Sequence, residues 1–200
     1  MFFDIVGSLL SLLSTYYFIR LNNKAWLVGI LAIFLNGWLY WSKGIFADAT
    51  LELLYLGSMI YGWFKWSKTG NNDVKGARLG SYTASQWLIV ILLFSVLFGL
   101  ILYFLTTFTH SKIALLDATT TTLSLLAQWL MCQSIIVTWV IWFITDAIYV
   151  VMYFNKELVF HSMLMMVYMV LAIIGYLNWF KARQTFLTQQ HSESAVVLES

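Results

Sequence analysis

Long apolar stretches separated by short polar ones dominate the pattern of this chain. Seven of them are 17 to 23 residues long, and an α-helix needs about 20 apolar residues to cross a bilayer. The fifth and sixth stretches are divided only by Gln133 and Ser134, because residues 118–154 contain no lysine, arginine or proline. The pattern predicts seven transmembrane helices, near residues 3–19, 25–42, 45–64, 86–108, 117–135, 136–154 and 158–180.

The first three stretches are repeated by the last three. Residues 10–66 match residues 123–179 at a constant offset of 113 without a gap. The aligned pairs include Trp26 with Trp139, Tyr55 with Tyr168, Gly62 with Gly175, and Trp66 with Trp179. Two three-helix units joined by one extra crossing must have the same orientation. The sequence therefore predicts an all-α integral membrane protein with a 3+1+3 parallel internal repeat, an arrangement typical of transporters.

The repeat also predicts how the chain is divided. We expect a first three-helix bundle over residues 1–66, a cytoplasmic loop and linker helix over 67–116, and a second bundle over 117–182. Residues 183–200 are polar and lack apolar periodicity until residue 195, so we expect a disordered tail.

Composition narrows the function classes. With 61% hydrophobic residues, 10% charged residues and a mean hydropathy of +0.81, the chain belongs in lipid, and the absence of proline favours uninterrupted helices. The histidines are scattered and Cys132 is alone, so neither a metal site nor a disulfide is expected. A net charge of +2 gives no indication of nucleic-acid binding, and no sequence motif indicates a cofactor or direct ATP coupling.

Lysine and arginine are distributed unequally between the two predicted membrane faces. One face carries only Lys43, Lys112 and Lys156, whereas the other carries eight, namely Arg20, Lys24, Lys65, Lys68, Lys75, Arg78, Lys181 and Arg183. Because basic loops stay in the cytoplasm, we expect the amino terminus outside and the carboxyl terminus inside a bacterial plasma (inner) membrane.

Two of the carboxylates inside predicted spans stand out. Glu52 is in the third helix and Asp146 is near the middle of the sixth, and neither span contains a lysine or arginine to neutralise its carboxylate. Ionisable groups at such positions usually face a cavity or a partner, so both are candidate site residues. Asp48 lies in the first turn of the third helix, where a structural role complementing the helix dipole is expected.

Aromatic rings accompany the two carboxylates. Tyr55, Trp142, Tyr149 and Tyr168 lie well inside spans, where an interfacial aromatic belt does not explain them. Rings attract a delocalised cation through their quadrupoles, and a buried carboxylate supplies the opposite charge. We therefore expect a small planar cation as substrate, with hydrogen bonds available from amides that include Gln128 and Asn178. Nicotinamide riboside and thiamine both fit this description.

Several motifs together resemble a known family. Tyr61, Gly62 and Trp63 followed by Trp66, then Trp139 with Trp142, and finally a closing motif at residues 175–179 are similar to the PnuC family of vitamin transporters. The resemblance covers essentially all of residues 5–182. It implies a seven-helix fold similar to that of a full-length SWEET protein, assembly as a homotrimer, and facilitated diffusion of nicotinamide riboside, which is then trapped inside by phosphorylation.

The resemblance also implies which residues line the site. Aromatic and amide side chains of the third, sixth and seventh helices map onto Glu52, Tyr55, Trp63, Trp66, Trp142, Asp146, Tyr149, Asn178 and Trp179. Glu52 and Asp146 stand where nicotinamide riboside members carry amides, which raises the thiamine branch as the alternative. A non-transporting scaffold or receptor is a more remote alternative. An enzyme is not expected, because no nucleophile, base or metal cluster is present.

Overall fold

The computed structural model describes residues 2–42, 46–68, 79–108, 113–155, 157 and 159–199. Residues 69–78, which the sequence analysis assigned to the loop between the two bundles, lie outside the described residues, as do Lys43, Lys112 and Lys156. The side chain of Asp48 also lies outside them.

Seven helices form the described chain, as predicted. They are α1 (Phe2–Ile19), α2 (Lys24–Ser42), α3 (Phe46–Lys68), α4 (Ala84–Phe108), α5 (Ala114–Cys132), α6 (Thr138–Asn155) and α7 (Val159–Glu199). The division of α5 from α6 falls at Gln133 and Ser134, as expected, and Ser134 adopts a positive φ of 57° that ends the helix. Among the described residues, three helices are long and apolar enough to cross a membrane by length and composition: α4, α6 and α7.

The predicted disordered tail is wrong as a description of secondary structure, because α7 continues as helix to Glu199. After Gly175 the chain contains no glycine or proline that could end the helix. Its residues there include many good helix formers, such as alanine, leucine, glutamine and lysine. At about 1.5 Å per residue the helix is about 60 Å long, roughly twice the thickness of a bilayer's hydrocarbon core.

The helices pack as two bundles joined along two interfaces. In one bundle α1 packs on α2 and α2 on α3, and in the other α5 packs on α6 and α6 on α7. The bundles meet where α3 contacts α5 and where α1 contacts α7. In the repeat, α1 corresponds to α5 and α3 corresponds to α7. The α3–α5 interface is therefore equivalent to the α7–α1 interface. The linker helix α4 packs mainly against α5, and within it Val90 alone is buried.

The turns that follow α1 and α5 have the same backbone geometry at the offset of 113. Leu21 has a φ of 52° and Ser134 a φ of 57°. The amide of Leu21 donates to Phe18 O at 3.0 Å, and the amide of Ser134 donates to Met131 O at 3.0 Å. Only a few per cent of non-glycine residues have positive φ, so the same feature at equivalent positions is strong evidence that both turns follow one backbone plan.

Contacts between helices recur in the same way. The ring of Trp26 covers Gly62, and the ring of Trp139 covers Gly175, so closely that an added Cβ would overlap either ring. Ser14 Oγ donates to the carbonyl of Ala25 at 2.9 Å. At the equivalent pair the donor and acceptor are exchanged, because Thr138 Oγ1 donates to the carbonyl of Ala127 at 2.7 Å. The hydrogen bond between the two helices is thus present in both copies, although its side-chain donor lies on the first helix in one copy and on the second helix in the other.

A cluster of buried rings joins the two bundles near their basic end, which we define as the end that carries Arg20, Lys65, Lys181 and Arg183. This aromatic core consists of Phe18, Trp26, Trp66, Trp139 and Trp179. Trp26 lies 5.3 Å from Trp66 at 85°, and Trp139 lies 5.5 Å from Trp179 at 88°, both edge-to-face. Such pairs add about 0.5–1.5 kcal/mol beyond area burial.

Leu79 closes the aromatic core from the loop between the bundles. Its side chain is fully buried. Arg183 of α7 donates a hydrogen bond to the Leu79 carbonyl, and the amide of Gly80 donates to Ser134 O at 3.2 Å. One short segment before α4 is thus tied to both the α5–α6 turn and α7.

Candidate substrate site

A cavity of about 380 Å³ lies between the two bundles, inward from the aromatic core. Small-molecule sites typically enclose roughly 300–1000 Å³. Its wall comes from six helices, with α4 contributing none of the lining residues: Ser11, Ser14, Thr15, Phe18, Gly29, Ala32, Ile33, Asn36, Leu51, Glu52, Tyr55, Met59, Ser124, Gln128, Met131, Trp139, Trp142, Asp146, Tyr149, Tyr153, Met165, Tyr168 and Ala172. Asp146 is the ninth of the 18 residues of α6, so the cavity lies about halfway along the bundle.

Six residues proposed from the sequence lie on the cavity wall. They are Glu52, Tyr55, Gln128, Trp142, Asp146 and Tyr149. Three of these residues, Trp142, Asp146 and Tyr149, belong to α6. They are four and three positions apart, so they share one face of the helix. The periodicity of α6 therefore directs an indole, a carboxylate and a phenol into one side of the cavity.

The other four proposed residues are not on this wall. Trp66 and Trp179 are buried in the aromatic core instead, and Trp179 Nε1 donates to the carbonyl of Phe18 at 2.9 Å. Trp63 is half-buried beside that core. Asn178 is exposed on the outside of the bundle. Successive residues on a helix point about 100° apart, so the inward direction of Trp179 turns Asn178 away.

Four further lining residues were not among the site residues proposed from the sequence. They are Ser11, Ser124, Met165 and Tyr168, the last of which was noted there only as a ring inside a span. The repeat contained the signal for three of them, since Ser11 aligns with Ser124 and Tyr55 aligns with Tyr168. A polar residue kept at both equivalent positions inside a span is a better indicator of a shared interior than either residue alone.

Two matched side-chain pairs border the cavity where the bundles meet. Tyr55 on α3 lies beside Ser124 on α5, and Tyr168 on α7 lies beside Ser11 on α1. Each pair is the image of the other under the offset of 113. We call these four residues the tyrosine–serine frame. It places a tyrosine of one bundle beside a serine of the other at both interfaces.

The cavity has two carboxyl groups and no basic side chain among its lining residues. Asp146 is 7% exposed and Glu52 is half-buried, and no lysine, arginine or histidine is among the lining residues. In a low-dielectric interior a unit charge acts far more strongly than in water. A bound cation would offset the desolvation of these carboxylates, whereas a bound anion would add repulsion to it.

Rings and free donors complete the recognition surface. Trp142, Tyr149 and Tyr153 lie on the α6 side, and the rings of Tyr149 and Tyr153 are stacked at 5.6 Å and 13°. Gln128 Nε2 and Trp139 Nε1 are buried and have no hydrogen-bond partner among the described residues. A buried donor left unpaired costs about 1–3 kcal/mol, and both residues border the cavity, so a polar ligand group that reached either donor would relieve that cost. No group of three metal-ligating side chains occurs in the part of the chain that the structure describes.

A membrane-embedded helical bundle in two halves, with a cavity between them that is lined by rings and carboxyl groups, is typical of the class of small-molecule transporters. The particular family follows from comparison with known proteins. The family described as "Nicotinamide mononucleotide transporter" matches residues 1–181, and the chain belongs to it.

A solved structure has the same fold. It is the crystal structure of the vitamin B3 transporter PnuC, with a TM-score of 0.72 and 19% sequence identity. The match covers 92% of this chain and 83% of that one. No curated protein sequence matches the chain significantly. The predicted membership of the PnuC family is confirmed.

Proposed function

We propose that this protein carries nicotinamide riboside across the bacterial plasma membrane by facilitated diffusion. The observation that carries the proposal is the cavity between the bundles, which combines rings, two carboxylates and unpaired amide and indole donors. The pyridinium ring of the riboside is flat and permanently cationic, so it matches Trp142 and Tyr149 by stacking and Asp146 by charge. The carbonyl oxygen of its carboxamide matches the donors of Gln128 and Trp139.

The cavity favours the riboside over the mononucleotide named in the family description. A phosphate group carries a charge of about −1.5 to −2 at neutral pH. The wall offers that group two carboxylates and no basic side chain. Without a nucleotide-binding motif in the sequence, transport would proceed down the gradient of the substrate, and phosphorylation inside the cell would retain it. The protein itself performs no chemical step in this proposal.

Rocking of the two bundles around the cavity would expose it alternately to the two sides. All seven helices would span the membrane, with the amino terminus outside and the basic end in the cytoplasm. The exposed apolar surface of α4 supports contact with lipid or with other subunits, and we propose a homotrimer on the basis of family membership. The exposed Asn178 and the half-buried Trp63 then lie outside the binding cavity of a subunit.

Calorimetric titration of the purified protein tests the proposed substrate. Nicotinamide riboside, its mononucleotide, thiamine and riboflavin are titrated separately, and uptake of each is then followed in proteoliposomes against protein-free vesicles. We expect saturable binding and uptake of the riboside alone. The family match does not favour thiamine, and thiamine binding without riboside binding would replace the proposed substrate. Binding of none of the four would favour a scaffold or receptor. A Leu88→Ala variant, altered on the exposed surface of α4, is the control for unspecific effects.

A further inference from the structure

The wall of the cavity is two-fold symmetric in part. The tyrosine–serine frame is identical in both halves, since Tyr55 and Ser124 are matched by Tyr168 and Ser11. A cavity lined by this frame alone would offer any ligand two equivalent placements, related by exchange of the halves. A ligand with one cationic end, such as a pyridinium riboside, has no such symmetry.

The symmetry fails at the side chains with charge or large rings. Asp146 of α6 aligns with Ile33 of α2, and both line the cavity with nearly the same exposure, 7% and 8%. Trp142 aligns with Gly29, which also lines the cavity. An added Cβ at Gly29 would lie 2.9 Å from Met59 Cε and 3.0 Å from Ser14 Oγ, so no larger side chain fits there without rearrangement.

Glu52 is the second charged exception, and its equivalent is Met165. The two carboxylates therefore occupy different positions of the repeat unit, one on the α3-type helix and one on the α6-type helix. They are not copies of one another, and each has an apolar counterpart. Only Asp146 stands on the same helix face as a cavity tryptophan, one turn from Trp142.

We propose that Asp146 and Trp142 determine the orientation in which the ligand binds, with its cationic ring toward α6. Ile33 and Gly29 mark the equivalent place in the first half, which has neither the charge nor the ring. The ribose end is directed toward α1 and α2, where Ser14, Thr15 and Asn36 line the wall. This inference rests on the proposed function, because it assumes a ligand with one cationic ring.

A pair of ligands that differ only in charge isolates the contribution of Asp146. Reduced nicotinamide riboside has nearly the same shape as the oxidised form, but its dihydropyridine ring is neutral. A charged hydrogen-bonding or ion-pair partner contributes roughly ten- to hundredfold in affinity. We expect the wild-type protein to bind the oxidised form at least tenfold more tightly than the reduced form. The isosteric Asp146→Asn variant should reduce this ratio to about threefold or less, mainly by weakening the oxidised form.

Moving the carboxylate to its equivalent position tests orientation directly. Asp146→Ile should lose the preference for the oxidised riboside, and the double variant with Ile33→Asp and Asp146→Ile should recover it. In wild type, Trp142→Phe should weaken the oxidised form by about three- to tenfold. In the double variant the ring turns toward α2, so the same change at Trp142 should have little effect on binding.

The outcomes separate this inference from the proposed function. If the wild type binds neither form of the riboside, the proposed function fails. If the wild type binds the riboside and Asp146→Asn leaves the oxidised-to-reduced ratio unchanged, the inference is overturned while the function stands. Should the buried Ile33→Asp change prevent folding, a double-mutant cycle of Asp146→Asn and Trp142→Phe decides instead. If the effects of the two changes on the binding free energy are not additive for the oxidised form but are additive for the reduced form, both residues contact the cationic ring and the inference is supported. If the effects are strictly additive for both forms, the inference is overturned.

Discussion

The aromatic core and the cavity are built largely from the same helices. The two copies of the repeat are alike in the aromatic core but differ in the cavity. In the aromatic core the contacts of Trp26 with Gly62 and with Trp66 are repeated by Trp139, Gly175 and Trp179. In the cavity, which adjoins the aromatic core at Phe18 and Trp139, only the tyrosine–serine frame is repeated. A filled interior requires complementary shapes in both halves, and those shapes can be identical. A binding site for an asymmetric ligand requires the two halves to differ.

The largest expected effect comes from removing a ring of the aromatic core. Trp179→Ala deletes a fully buried indole and its hydrogen bond to Phe18 O. We expect a loss of about 3–5 kcal/mol in stability, measured by thermal unfolding in detergent. The matched control is Trp38→Ala, since Trp38 is 68% exposed and should tolerate the change. Equal stability of the two variants would contradict the role of the aromatic core.

The second largest loss of stability is expected from a change in the loop contact at the basic end. Leu79→Ala removes a fully buried side chain between the α5–α6 turn and α7, and we expect a loss of about 2–4 kcal/mol. Leu88→Ala, on the exposed surface of α4, should change the melting temperature little. If the Leu79→Ala and Leu88→Ala variants have the same melting temperature, Leu79 does not hold the basic end closed.

The two glycines under the tryptophan rings allow the symmetry of the aromatic core to be measured. Gly62→Ala and Gly175→Ala should each cost about 1–3 kcal/mol, because the new methyl group overlaps Trp26 or Trp139. Gly57 and Gly99 have no neighbouring atoms within 4 Å of an added Cβ, so alanine there should be neutral or slightly stabilising. Unfolding curves of all four variants would show whether the two halves respond alike.

The smallest expected effect concerns the tyrosine–serine frame. Tyr55→Phe and Tyr168→Phe each remove the hydroxyl group that lies beside a serine of the other bundle, and losing one polar contact of this kind costs about 0.5–1.5 kcal/mol. We expect the two variants to lose similar stability and to alter riboside uptake in proteoliposomes by similar factors. A large difference between them would mean that the two interfaces are not equivalent in the working protein.

Much of this architecture could be predicted from residues that are adjacent or regularly spaced. Seven helices, the turn at Gln133 and Ser134, and the alignment of the halves all follow from apolar stretch length and from the constant offset. The candidate site was predicted less completely. Glu52 and Asp146 were found because charge inside a span is costly, whereas Trp66 and Trp179 were proposed from their motifs and lie in the aromatic core instead.

The sequence by itself determined the lipid environment, the helices and the duplicated plan, because hydrophobic length and periodicity are local properties that neighbouring residues decide together. Only the tertiary structure decided which ring fills space and which ring lines a cavity, since that depends on the rotation of each helix about its axis and on what faces it. Trp142 and Trp179 both belong to the tryptophan-bearing motifs of the sequence, and they nevertheless lie in different surroundings. Trp142 faces the cavity beside Asp146, and Trp179 donates to the carbonyl of Phe18 on another helix.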